Sequence, residues 1–181
     1  MIRELKIRIF LTGNPGVGKT TLVRKIVGQL EGIKAAGFYT QETRRCGQRT
    51  GFKIVTLDGQ SATLASLRGT GPRAGKYSVH VDEFEKVALR DLDPTAMPAD
   101  LYVIDEIGKM ELLSDQFKRK LTDLLARPTN LLATIAKRGT GFVDQIKRRS
   151  DIELIEVTRE NRDELPHELT ARIKIDLGKR G

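Results

Sequence analysis

The chain contains a single cysteine, Cys46, among its 181 residues, so no internal disulfide can brace the fold and a reducing compartment is expected. No apolar run approaches the ~20 residues needed to cross a bilayer, and the first residues lack the apolar core of a signal peptide. These absences predict a cytoplasmic protein with no membrane partner. His80 and His167 are the only histidines, and neither has the partner spacing of a zinc site. No internal repeat or low-complexity segment is present. Aromatic residues make up only 5% of the chain, with no interleaved aromatic platform and no recognised nucleic-acid module. This weighs against reading the basic excess as a nucleic-acid interface.

The excess itself is large, with a net charge of +8 and a pI near 9.7, and it implies anionic partners. Arg44, Arg45, Arg49, Lys53, Arg68, Arg73 and Lys76 fall in one segment, and Lys147, Arg148 and Arg149 form a second run. The favoured reading is a solvated basic surface that also draws in polyphosphate, with nucleic-acid binding as the alternative. The length suits one buried core and is short for two, so one domain over residues 1–181 and a monomer are expected.

Against this background one stretch stands out. Gly13, Asn14, Pro15, Gly16, Val17, Gly18, Lys19 and Thr20 match G-x-x-x-x-G-K-[ST] directly after an apolar run. The glycines let successive backbone N–H groups curl around a β-phosphate, Lys19 reaches the β- and γ-phosphates, and Thr20 offers a hydroxyl to Mg²⁺. The helix that starts there adds its positive dipole end. A nucleoside triphosphate is the expected ligand and Mg²⁺ the expected cofactor.

Periodicity places strands at residues 6–11, 37–41, 101–104, 130–135 and 152–157, and helices at 19–30, 82–92, 142–149 and much of 161–177. Ser114 is positioned to cap another helix, which Pro128 closes. Asp58-Gly59 predicts a hairpin between residues 52–57 and 60–64, read as an insertion. Residues 69–76 read as a mobile basic loop, and 178–181 as a fraying end. Strands alternating with helices imply a mostly parallel sheet covered on both faces, with ligands beyond the carboxyl ends of the strands.

The apolar strand through Leu101 ends in Asp105-Glu106, and adjacent carboxylates suit two separate tasks. Asp105 is placed to hold Mg²⁺ through its water shell, and Glu106 to orient or deprotonate the water that attacks the γ-phosphate. Asp105-Glu106-Ile107-Gly108 also fits the D-x-x-G pattern of GTPase switches, in which Gly108 would sense the γ-phosphate. No N-K-x-D sequence accompanies it, so no dedicated guanine clamp is expected. A strand at 130–135 instead suits the P-loop ATPases that carry a catalytic glutamate, with Thr134 near its end read as a buried core threonine or, alternatively, a γ-phosphate sensor. Stacking by a residue such as Tyr39 would tolerate any base. The stretch Thr70 to Tyr77 contains Gly75-Lys76 but lacks the first glycine and the final hydroxyl of a second phosphate cradle.

These residues together resemble the small nucleoside-triphosphatase family first described in thermophiles and shared with the human cancer-related nucleoside-triphosphatase. The likeness runs nearly end to end. It rests on Gly13 to Thr20, on Gly37-Phe38-Tyr39-Thr40 with Glu42, on Arg49-Thr50-Gly51-Phe52, on Asp105-Glu106-Ile107-Gly108-Lys109-Met110-Glu111, and on Thr158-Arg159-Glu160-Asn161-Arg162. The resemblance implies a RecA-like α/β P-loop NTPase that hydrolyses ATP, GTP, CTP, UTP and TTP, with diphosphates as poorer substrates. It also implies that the phosphate loop and the segment Tyr102, Val103, Ile104, Asp105, Glu106, Ile107, Gly108 and Lys109 bind the nucleotide. The chain departs from the family pattern after Thr134, where Ile135-Ala136-Lys137-Arg138 stands in place of a proline-containing turn, which counts against a charge-stabilising role for Lys137 or Arg138; Lys109 is the other candidate cation, with pairing to Glu111 or exposure to solvent as the alternative reading. A nucleotide or small-molecule kinase and a nucleotide-gated nucleic-acid binder are the alternative functions.

Overall fold

Alternating burial sets the architecture. Along the strand Arg8–Thr12, β1, Ile9 and Leu11 enter one apolar cluster while Phe10 enters another on the opposite face. This two-residue period is what a strand buried on both sides requires. The computed structural model describes residues 6–139 and 141–178.

In chain order the elements are β1, helix α1 (Lys19–Gln29), strands β2 (Ala35–Arg45), β3 (Gln48–Thr56), β4 (Ser61–Ser66), β5 (Arg73–Ala74) and β6 (Tyr77–Val79), helix α2 (Val81–Asp91), strand β7 (Leu101–Ile107), helix α3 (Asp115–Ala126), strand β8 (Leu131–Ile135), helix α4 (Phe142–Lys147), strand β9 (Glu153–Glu156) and helix α5 (Leu165–Asp176). Among the described residues the strands form one sheet in the order β5-β6-β4-β3-β2-β7-β8-β1-β9. The half from β2 to β9 is parallel, as right-handed crossovers through helices require. Helices α2, α3 and α4 pack on one face and α1 and α5 on the other. The first face is fastened by Phe38, Phe84 and Phe117, whose rings meet edge to face at centroid separations of 5.4 to 6.2 Å.

Several expected elements are present with shifted ends. Ser114 does cap α3, its hydroxyl accepting from the Phe117 N–H at 2.9 Å. Pro166 is accommodated in the first turn of α5, where its missing N–H leaves no bond unmade.

The hairpin predicted at Asp58-Gly59 is one part of a larger antiparallel wing in which β2, β3, β4, β6 and β5 pair in turn. A second hairpin, between β2 and β3, turns at Cys46 and Gly47, both with positive φ (48° and 77°). The segment expected to be a mobile loop instead supplies β5, which pairs Arg73 with Ser78 and Ala74 with Tyr77. The fraying predicted for the tail falls mainly on residues 179–181, outside the described residues. Gly178 still bonds to the Ile175 carbonyl at 3.0 Å.

Candidate active site

The loop from Gly13 to Gly18 joins β1 to α1 at the carboxyl end of the sheet. Gly13 has φ of 152°, and a Cβ there would stand 2.5 Å from the Val157 carbonyl oxygen. Only glycine lets the loop leave β1 this close to the segment after β9. Asn14, Pro15 and Gly16 are exposed, and Val17 anchors the loop in the core beneath. Helix α1 begins without a side-chain cap, so its first amides remain available to an anion.

Lys19 is 9% exposed and folds back over the loop. Its Nζ donates to the Gly13 carbonyl at 3.2 Å and lies 3.7 Å from Glu106 Oε2. The loop, the lysine and the glutamate expected from the sequence are therefore brought together. Asp105 stands beside them, 1% exposed. Its Oδ1 accepts from Thr134 Oγ1 at 2.5 Å and its Oδ2 from the Thr40 N–H at 3.4 Å, and the Thr20 hydroxyl also favours its charged form.

Asp105 and Glu106 lie within β7 rather than beyond its tip, because the strand continues to Ile107. The β7–β8 register is interrupted between Ile104 and Ile107, which frees the two carboxylates to face the loop. The order of strands matters equally, since β8 separates β1 from β7. This spacing leaves a full strand width between the phosphate loop and Asp105, and Thr134, on that intervening strand, reaches across to the aspartate. Its role is to aim Asp105, a task the sequence did not reveal.

Burial is the largest influence on all three nearby carboxyls and pushes each upward from its ordinary range. Thr134, Thr20, the Thr40 amide and Lys19 partly oppose it at Asp105, and Lys19 opposes it at Glu106, where Asp105 adds repulsion. Glu111, wholly buried in the short helical turn after β7, is pushed up to about 8 by burial reinforced by Glu106 and Asp105. Burial thus disfavours negative charge on all three carboxyls, a cost that a cation bound among them would relieve.

The donor set fits a hard metal ion carried with the substrate. Thr20 and Asp105 supply a hydroxyl and a carboxylate, the oxygen ligands Mg²⁺ takes, and Mg²⁺ typically completes its shell with waters and phosphate oxygens. Among the described residues no group of three or more His, Cys, Asp or Glu could cage an ion unaided.

Other residues expected to touch the nucleotide do not present side chains to it. Tyr102, Ile104 and Ile107 are buried in the cluster under α2 and α3, and Val103 in the cluster under α1. Period-two alternation sends their side chains into the core, so they build the strand that carries Asp105 and Glu106. A side chain at Gly108 would press on the carboxyls of both glutamates, its Cβ 2.7 Å from Glu106 Oε1 and 3.1 Å from Glu111 Oε2. Lys109 is exposed. Lys137 is drawn away into an ion pair with Glu156 at 2.5 Å, while Arg138 is exposed. Tyr39 pairs with Asp105 across β2 and β7, and the Arg24 guanidinium covers its ring at 4.8 Å.

A loop of this form feeding an α/β sheet, with Asp-Glu on the strand next but one, defines a P-loop NTPase fold. Comparison with known proteins agrees: a family model described as NTPase matches residues 8–170. The nucleoside-triphosphatase THEP1 of Thermotoga sp. strain RQ2 is 41% identical over 175 residues, spanning 96% of this chain and 99% of the relative. The cancer-related nucleoside-triphosphatase homolog of mouse is 38% identical over 183 residues, covering 92% of this chain and 96% of its own. The crystal structure of THEP1 from Aquifex aeolicus superposes with a TM-score of 0.84 at 39% identity, covering 93% of this chain and 99% of that one. The chain belongs to this NTPase family.

Proposed function

We propose that the protein is a Mg²⁺-dependent nucleoside-triphosphate phosphohydrolase that cleaves the β–γ phosphoanhydride bond of ATP, GTP, CTP, UTP and TTP, with diphosphates as poorer substrates. The observation that carries this reading is the approach of Glu106 to Lys19 at 3.7 Å at the mouth of the phosphate loop. That approach supports a carboxylate meeting water beside the γ-phosphate, and the relatives' names support the same class of reaction.

In this mechanism the loop amides and the α1 N-terminus hold the β-phosphate, and Lys19 bridges the β- and γ-phosphates. Thr20 and Asp105 would hold Mg²⁺, which when bound neutralises charge growing on the phosphate oxygens. Thr134 and Thr40 keep Asp105 aimed through their bonds to its two oxygens. Glu106 orients a water in line with the bond to be broken and takes its proton as the water oxygen bonds to phosphorus and the diphosphate leaves. Burial of Glu106 raises its proton affinity, which suits a base that must accept a proton near neutral pH.

The test is release of inorganic phosphate from each triphosphate with and without Mg²⁺. Release that needs the metal is expected, together with loss of at least about nine-tenths of it in Lys19→Ala, because the transferring phosphate loses its dedicated cation. Transfer of the γ-phosphoryl group to a second small molecule instead of water would convert the reading to that of a kinase.

A further inference from the structure

Asn161 fixes the segment that follows β9. Its Oδ1 accepts from the Thr158 N–H at 2.8 Å and its Nδ2 donates to the Glu156 carbonyl at 2.9 Å. The Arg162 N–H bonds to the Thr158 carbonyl at 3.2 Å and the Leu165 N–H to the Asn161 carbonyl at 3.0 Å. A rigid turn results, and from it the Arg162 side chain reaches back to the phosphate loop. Its Nη1 donates to the Val17 carbonyl at 3.3 Å, and its Cδ lies 3.9 Å from where a Cβ on Gly18 would stand. The guanidinium remains part-exposed and borders an open cleft of about 160 Å³ formed with Gly18, Thr21, Lys25 and Asp163.

This cleft lies at the end of the loop opposite Glu106. Lys19 and Glu106 mark the γ-phosphate end, on the side of β7, whereas β9 flanks β1 on the other side. A triphosphate laid along the first amides of α1 therefore leaves its α-phosphate near Thr21 and its sugar and base at the cleft. Tyr39 is at the wrong end for this contact and is already covered by Arg24.

We propose that Arg162 is the nucleoside-contacting residue, its guanidinium plane pinned by the Val17 carbonyl so that any base stacks on it. The proposal rests on the reading that triphosphates bind with their γ-phosphate at Lys19 and Glu106. A guanidinium offers a planar face and reads no base edge by stacking alone, so the contact also accounts for a substrate range without a guanine clamp.

Calorimetric titration of the full chain with Mg²⁺ and three probes tests it: the β,γ-imido analogues of ATP and UTP, and inorganic tripolyphosphate, which has no nucleoside. Arg162→Ala should weaken both analogues by about tenfold, within the range that stacking on a side chain supplies, and tripolyphosphate by less than about twofold, since its phosphate contacts are untouched. Arg162→Lys keeps the charge but loses the plane and should match Arg162→Ala. Equal losses for all three probes would make Arg162 a phosphate ligand, unchanged binding of the analogues would remove it from the site, and recovery by lysine would replace stacking with charge. Each of these overturns the proposal. Hydrolysis is read separately as phosphate release from wild-type protein: its absence beside an intact Arg162 effect would sink the phosphohydrolase reading and leave the nucleoside contact standing.

Discussion

Glu106 and Glu111 lie on either side of Gly108, and their environments give them separate duties. Glu106 is part-exposed and faces Lys19, so it is the carboxylate that water can reach. Glu106→Gln keeps size and hydrogen bonding but cannot take a proton. Turnover should fall by about 10² to 10⁴, the usual worth of general base assistance, while calorimetry should find ATP bound with near-normal affinity. Loss of binding together with activity would mark Glu106 as a metal-holding residue. Glu111 has no such access, and burial holds it protonated at neutral pH, with a pKa pushed up to about 8 from 4.5. Because the folded state then binds the proton more tightly than the unfolded chain, Glu111 contributes full stability below about pH 4.5 and loses it as pH climbs toward 8. The melting temperature of the nucleotide-free protein should therefore drop across that window, and Glu111→Gln, neutral at every pH, should flatten the slope. A variant with an unchanged slope would show that Glu111 is not the titrating group. The phosphate loop, Asp105 and Glu106 were legible in the sequence as a candidate site because the proposed chemistry demands fixed residue types at fixed spacing. The parts proposed for Thr40, Thr134 and Arg162 were not legible because these residues reach the site from three different strands or turns, and only the folded register brings them there.

At the scale of elements, the parallel half of the sheet was readable because apolar runs alternate with amphipathic helices. The wing was only half readable, since Asp58-Gly59 announces its turn, with Gly59 alone of the pair at positive φ, whereas Cys46-Gly47 turns with both residues at positive φ and is not a usual turn-forming pair. β5 has only two residues, Arg73–Ala74, too few for any periodicity to register. Within the wing the basic residues are partly spoken for: Arg44 and Arg49 both pair with Glu42, at 2.6 and 3.0 Å, and Arg49 also covers the Phe52 ring. Single-stranded RNA should accordingly leave the phosphate-release rate nearly unchanged. A strong stimulation that vanishes at high salt would instead reveal a nucleic-acid partner. Of the cations considered for the γ-phosphate, Lys109 and Arg138 are exposed and Lys137 is engaged by Glu156, while Arg24 covers the Tyr39 ring. With none of these already in place as a finger, turnover should stay below about 1 s⁻¹, because a finger in place contributes on the order of 10³ to 10⁵ in rate.

For the molecule as a whole, the proposed mechanism divides the work between the two sides of β1. It assigns chemistry to the β7 side and nucleoside contact to the β9 side, with the phosphate loop between them. ATP, GTP, CTP and UTP should therefore be hydrolysed with kcat/KM values within roughly tenfold of each other, a spread of about 1.4 kcal/mol. Steady-state kinetics that found one base strictly required would contradict this. The sheet that holds these parts has a further consequence for how molecules meet. A long strand with an unpaired edge is a template onto which another chain can add, and β2 creates one: its pairing with β7 stops at Tyr39, yet the strand runs on to Arg45 bonded to β3 alone. That overhang carries Glu42, Arg44 and Arg45 and is kinked by a register shift at Thr43 and Arg44. The outermost strands are brief as well, two residues in β5 and four in β9, the latter beginning and ending in Glu153 and Glu156. Charge, a kink and short length are the means by which a sheet refuses a foreign strand, so the basic ribbon that looks like an invitation to a polyanion is also poorly suited to pairing with the sheet of a neighbouring copy.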